Sequence, residues 1–170
     1  MRRAGCSFSG RHAGAGWHRW RLVPASPDTP AFAGVTGQEA LIGDGMTLRI
    51  FFDGGCRPNP GAIEVAAVGS GIVDVRCDVG RGDNNDAEWL ALIHAARIAV
   101  ALGAQDVIFL GDSALVVGQA GGIAKCRGAR LQAHLEAYRS IIGGIGRVRV
   151  RRVPRAKNLA GIELARLHPR

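Results

Sequence analysis

Long apolar runs, paired cysteines and aromatic residues are all scarce in this chain. No uninterrupted apolar stretch among its 170 residues reaches the roughly 18 needed for a membrane span, so no membrane partner is expected. The four cysteines, Cys6, Cys56, Cys77 and Cys126, form no C-x-x-C pair and suggest no disulfide framework, which points to a reducing, cytoplasmic setting. Arg2 and Arg3 resemble the start of a signal peptide, but no continuous apolar segment follows them. The hydrophobic fraction of 47% is enough for one domain core even with only 5% aromatic residues.

Acids are missing unevenly. From Lys125 to Arg170 the chain carries twelve Lys and Arg against Glu136 and Glu163 alone, so with a total formal charge of +8 the rest is slightly acidic. A surplus of this size at one end suits a polyanion partner, most often nucleic acid. A merely solvated basic face is the competing reading.

Residues 1–45 contain Gly, Ala, Ser, Pro and Trp with neither a helical nor an alternating period. They are expected to be a disordered or spurious extension, and Met46, directly ahead of the first strand pattern, is a sensible start. From there the elements follow closely. "LRIFFD" reads as a strand, and "AIEVAAVGSGIVD" and "VRCDVG" as two more joined by Gly and Asp turns. "DAEWLALIHAARIAVAL" switches to helical period, with Trp89, Leu92, Ile93, Ala96 and Val100 on one face and Gly103 as its stop. A short strand "DVIFLGD", a short helix "SALVVGQA" and a longer helix with Leu131, Leu135, Tyr138 and Ile142 on one face come next. "RVRVRRV" alternates as a strand and "NLAGIELARLH" closes as a helix. The order β-β-β-α-β-α-α-β-α predicts an α/β domain with a mixed five-stranded sheet, three strands antiparallel and the others parallel, and helices on both faces.

Three acids stand at special places in that order. Asp53 ends the first strand pattern, Glu88 lies in the first turn of the first long helix, and Asp112 sits where "DVIFLGD" runs out. Residues just beyond the carboxyl ends of parallel strands converge on the functional crevice of an α/β sheet. Three converging carboxylates repel one another unless a cation neutralises them, and oxygen-only ligands suit Mg²⁺ or Mn²⁺. Two such ions can activate a water and stabilise the leaving oxygen in phosphodiester cleavage. Taken singly, each acid has a local explanation: Asp53 capping the Gly-Gly turn, Glu88 favouring a helix N-terminus, Asp112 N-capping the next helix.

"DGGCRPNPG", "NNDAEWLAL", "LGDSALVV" and "VPRAKNLAGIELA" occur in the order and spacing of the ribonuclease H family, which residues 47–168 resemble. The resemblance implies a ribonuclease H-like fold over residues 46–170 and a nuclease that cuts the RNA strand of an RNA–DNA hybrid with two Mg²⁺ or Mn²⁺ ions. It assigns Asp53, Glu88 and Asp112 as catalytic, metal-holding carboxylates. Gly54, Cys56, Asn59, Asn84, Asn85, Arg155 and Asn158 fall on its substrate-contacting segments. Asparagine amides both donate and accept, as reading a 2′-OH requires; turn chemistry is their other explanation. Arg147, Arg149 and Arg151 share one strand face and, with Arg155 and Lys157, are candidates for phosphate contacts, or else a charged edge that discourages aggregation.

The pattern is broken in three places. The basic protrusion that some members carry after the second helix is missing, since only "GGIAKCRGARLQ" lies there. "VPRAKN" replaces the segment that holds a flexible histidine, as in the short-loop branch, and His94 and His134 are expected to be surface residues of helices. The fourth acid is replaced by Ile162, with Glu163 next to it but about 100° round the helix as a candidate substitute. The expected protein is a monomeric, cytoplasmic, metal-dependent hybrid ribonuclease. The alternatives are a degenerate hybrid-binding module that does not cut and a structural domain of a nucleic-acid assembly.

Deletion of residues 1–45 is expected to leave the melting temperature and hybrid binding nearly unchanged. A large loss of either in thermal melts or binding titrations would place those residues within the domain.

Overall fold

The structure, a computed structural model, describes residues 46–168; the expectations for residues 1–45 lie outside the described residues. Strand β1 (Leu48–Cys56) pairs antiparallel with β2 (Gly61–Gly69), which pairs antiparallel with β3 (Ile72–Arg76). The two-residue strand β4 (Arg81–Gly82) lies against the start of β2. Helix α1 (Asn84–Ala101) leads to β5 (Asp106–Gly111), and helices α2 (Ala114–Ala120) and α3 (Ala129–Ile142) lead to β6 (Arg147–Arg152). A 3-10 turn, Arg155–Lys157, precedes the last helix, α4 (Leu159–Leu167). The sheet runs β3-β2-β1-β5-β6, with β5 and β6 parallel to β1. This is the expected mixed α/β sheet with one short strand added.

One expected strand is two. Gly69, Ser70 and Gly71 turn the chain inside "AIEVAAVGSGIVD", with φ of +51° at Ser70 and +79° at Gly71. Successive positive φ values match the twist of the flanking strands and close a tight hairpin. The third strand therefore begins at Ile72, earlier than the Gly/Asp spacing suggests.

Helix α1 starts at a capping box: the Asp83 carboxylate accepts from the Asn85 and Asp86 N–H groups, and Asp86 accepts from Asp83 N–H. Trp89, Leu92, Ile93 and Ala96 are buried as their spacing predicts, but Ala91, Ala95, Ile98 and Ala99 are buried too. Nearly the whole circumference is covered because α1 lies between the sheet and α3. Val100, on the last turn, is exposed instead of joining the stripe. Trp89, Tyr138 and Phe109 meet edge-on, with ring centroids 6.3 and 6.2 Å apart, and each buries roughly 150–250 Å² in such a core. Leu135 and Tyr138 turn the buried face of α3 inward, with Leu131 and Ile142 partly buried beside them. The other sheet face is thinner: Ala66, Val68, Ala160 and Leu164 hold α4 down.

The tightest contact between the layers is at Gly54. A Cβ there would stand 2.1 Å from the Ala87 carbonyl oxygen and 2.7 Å from Glu88 N. Gly54 thus acts by letting α1 approach β1. Gly54→Ala is expected to destabilise the domain by roughly 1–3 kcal/mol through overpacking. Gly55→Ala, whose Cβ would meet nothing within 4 Å, should melt close to the wild type. Equal melting of the two variants would remove this contact from the account.

Candidate active site

The parallel register of β1 and β5 brings the first two acids level. The last parallel pair is Phe51 opposite Leu110, and Asp53 and Asp112 each follow two residues later. Asp53 does not end its strand, as the sequence suggests; β1 continues to Cys56 against β2. What ends there is the parallel pairing, because β5 stops at Gly111. The chain order reverses at this point, and such a switch opens a crevice. Glu88 reaches the same point from the first turns of α1.

One carboxylate oxygen from each of Asp53, Glu88 and Asp112 can be chosen so that all lie within 4.8 Å of one another. The local explanations for two of these acids are taken by other residues. Ser113 caps α2 by accepting from Val116 N–H at 3.3 Å, and Asp83 with Asp86 caps α1. Asp53 does accept from the Gly54 backbone. Burial, then repulsion from Asp112, lifts the Asp53 pKa well above the usual carboxylate range. Burial, then repulsion from Asp53 and Asp112, lifts Glu88 further. The Arg155 guanidinium opposes both shifts. Glu88 Oε2 is buried with no hydrogen-bond partner among the described residues. A set of oxygen donors with an orphaned carboxylate atom among them fits a hard divalent cation.

Several other expected contacts have different duties. Asn158 is fully buried, so its side chain does not face a substrate. Its Nδ2 donates to the Phe52 carbonyl at 3.0 Å and to Asp112 Oδ1 at 3.2 Å, which ties β1 to the third acid. Cys56 is buried, and its thiol donates to the carbonyls of Pro58 and Gly82 at 3.1 Å. Asn59, Asn84, Asn85 and Arg155 are exposed, and Asn84 and Arg155 line the cleft that holds Asp53 and Glu88. Glu163 lines no part of it and is ion-paired with Arg166 at 2.6 Å. Ile162 is 41% exposed.

The basic strand is less uniform than its alternation implies. Arg147 and Arg151 are exposed, whereas Arg149 is half-buried and bound to Asp106 and Thr47. Arg152 donates through Nε to the Asp112 carbonyl at 3.2 Å, which brings a cation to the site edge. His94 and His134 are half-buried rather than surface residues. His134 lies 3.1 Å from Asp86 and stacks on Trp89, and His94 lies 3.7 Å from Asp74. Arg130 also holds both Asp83 and Asp86, at 2.6 and 3.0 Å. Helix α3 thereby braces the start of α1, where Asn84, Asn85 and Glu88 are displayed.

The cleft, about 250 Å³, also contains Arg57, from the first motif, and two residues outside the motifs, Glu64 and His168, which lie 2.7 Å apart. Glu64 pairs in register with Gly55, so it shares a sheet face with Asp53. Its sequence signal was available, since it is the lone charge in the apolar run of β2. His168 carries no such signal.

The family model described as "Reverse transcriptase-like" matches residues 51–168. The chain is 35% identical over 119 residues to ribonuclease HI of Halobacterium salinarum, covering 67% of this chain and 60% of that protein. It is 33% identical over 126 residues to bifunctional protein Rv2228c of Mycobacterium tuberculosis, covering 71% of this chain and 35% of that protein. The chain therefore spans less than two thirds of the length of these relatives. Among solved structures, RNase H1 of Halobacterium salinarum superposes with a TM-score of 0.63 at 32% identity, over 70% of this chain and 94% of that one. LC11-RNase H1 in complex with an RNA/DNA hybrid superposes with a TM-score of 0.58 at 27% identity, over 66% and 88%.

The raised pKa values of Asp53 and Glu88 have a thermodynamic consequence. Their stability contribution in metal-free protein is complete at low pH, where folded and unfolded chains are both protonated. It is lost as the pH rises through the elevated folded values. In chelator at about pH 8, Glu88→Gln should therefore melt above the wild type, by roughly 4 °C for each kcal/mol of repulsion relieved in a domain of this size. At about pH 4 the two should coincide. Added Mg²⁺ should reverse the order, because ligand binding stabilises only the protein that can hold it. A wild type that melts at or above the variant at high pH without metal would show that the carboxylates are not strained against one another.

Proposed function

The chain belongs to the ribonuclease H family, and on that premise we propose that it hydrolyses the RNA strand of RNA–DNA hybrids with divalent metal. The observation that carries this reading is the carboxylate trio, Asp53 from β1, Glu88 from α1 and Asp112 just past β5, with one oxygen of each within 4.8 Å of the others. Asp53, Glu88 and Asp112 would hold Mg²⁺ or Mn²⁺. When bound, such an ion supplies an activated water and stabilises charge on the leaving oxygen.

The protein's own residues account for binding and orientation. Asn84, beside Asp53 and Glu88 in the cleft, offers a donor and an acceptor to a ribose 2′-OH, which DNA lacks. Asn85 stands exposed next to it while its backbone N–H is held by Asp83. Asn158 fixes Asp112 against β1. Arg151, Arg152, Arg155 and Lys157 are exposed cations, of which Arg152 and Arg155 reach the site, and they suit phosphates of either strand; Arg147 is at the far end of β6, opposite Asp106. Cys56 and Cys126 form no disulfide among the described residues, which suits a reducing, cytoplasmic setting.

Ile162 favours a second reading, a hybrid-binding module that does not cut. Labelled RNA–DNA hybrid, duplex DNA and duplex RNA, each with Mg²⁺, Mn²⁺ or chelator, separate the two. Cleavage is expected only in the RNA strand of the hybrid and only with metal. Asp53→Asn should lower the rate by roughly 10³-fold, the equivalent of about 4 kcal/mol from one charge at close range, with the fold intact. Glu163→Gln should change little, since its carboxylate is spent on Arg166. Wild-type cleavage by Asp53→Asn would overturn the site. Inert protein with every metal would leave the binding module. Hybrid affinity should also fall steeply with salt as counterions are released.

A further inference from the structure

A second cavity of about 330 Å³ adjoins the cleft and is lined by Arg57, Arg155, Gly161, Ile162, Ala165 and His168. Among the described residues no carboxylate lines it. Five of these residues also line the cleft that contains Asp53 and Glu88, so the two spaces form one groove that changes sign along its length. The change comes at Gly161, where a Cβ would stand 2.8 Å from Asp53 Oδ2. The acids lie on one side only, whereas the two guanidiniums and the imidazole of His168 line both.

The acids that could reverse this polarity are engaged or turned away. Glu163 is held by Arg166 and lines neither space. Glu64 is held by His168 at 2.7 Å. Neither Arg57 nor Arg155 forms an ion pair within 4.0 Å among the described residues. Position 162, where the family pattern has its fourth acid, presents an apolar side chain to this cavity. A divalent ion would therefore meet two positive charges there and no oxygen ligand from a carboxylate. A phosphate would meet two planar forks whose geometry matches its oxygens.

We propose that Arg57 and Arg155 form a fixed phosphate subsite beside the carboxylate trio, in the place where a fourth acid would otherwise help hold a second cation. The ligand is a backbone phosphate of the bound nucleic acid, and the protein itself takes up one divalent ion rather than two. The single-ion part rests on the hydrolase reading above; the phosphate part does not.

The test uses the full chain and a short fluorescent RNA–DNA hybrid, first in chelator. Arg57→Ala and Arg155→Ala should each weaken binding about tenfold, as loss of a charge-assisted contact to phosphate does. The double variant should lower the salt slope by about two. Arg97→Ala, an exposed charge on α1, serves as the control for net charge and should leave affinity near wild type. Ile162→Asp, which sets a carboxylate between the guanidiniums, should also weaken metal-free binding. Both arginines are exposed, so all variants should melt with the wild type. Calorimetric titration of the hybrid-free protein with Mn²⁺ should give one equivalent. A double variant that binds like the Arg97→Ala control, or a wild type that takes two equivalents of Mn²⁺ with similar affinity, overturns the proposal. If cleavage is absent but the arginine-dependent metal-free binding persists, the hydrolase reading fails and the phosphate subsite stands.

Discussion

Three carboxylates within 4.8 Å of one another repel by roughly 3–4 kcal/mol per charged pair in moderately polar surroundings. A chain of this size has only about 5–15 kcal/mol of net stability. Such a cluster persists only if rigid elements over-determine it or if protons or cations neutralise it. The structure shows the first, and the burial of three like charges implies the second. Burial and mutual repulsion hold protons on Asp53 and Glu88 beyond their ordinary range, and a divalent ion can take the place of those protons.

The rest of the fold serves to hold that cluster. Gly54 lets the backbone of α1 press against β1, which sets the reach of Glu88 toward Asp53. Asn158, buried at the start of α4, spends its amide donors on β1 and on Asp112. Arg130 and His134 on α3 grip the capping box that begins α1. Asp112 is thus held by a side chain from α4, and the helix that carries Glu88 is braced by α3. The aromatic core of Trp89, Tyr138 and Phe109 lies behind these contacts and resists their rearrangement, since close-packed interiors do not deform continuously.

Charge is arranged around the cluster in gradations. The described basic end of the chain folds back to the same sheet edge and groove, so that Arg152 reaches the Asp112 carbonyl and Arg155 lies beside Asp53 and Glu88. A polyanion approaching this surface meets cations at the rim before it meets the carboxylates. On the proposed function, the acids would act on a phosphate that the rim has already placed, since contacts to phosphate fix register and orientation.

Local pattern was sufficient for much of this. The apolar period from Trp89 and the stop at Gly103 mark most of α1, although its cap, Asp83, lies ahead of the segment that the period picks out. The mixed sheet follows from the order of its elements. Motif spacing singles out Asp53, Glu88 and Asp112, because a charged residue at the end of a buried run demands a reason. Three kinds of fact needed the tertiary structure. Which polar residues are buried is one: Asn158 reads as a surface contact and is a strut, and Arg149 reads as part of a free face and is spent on Asp106. Which residues from distant elements share a space is another, since Glu64 and His168 are 104 positions apart and 2.7 Å apart. The third is the sign of the groove beyond Ile162, which arises from Arg57 and Arg155 meeting across α4. Sequence spacing governs what neighbours along the chain can do, while long-range packing alone decides which charges face one another.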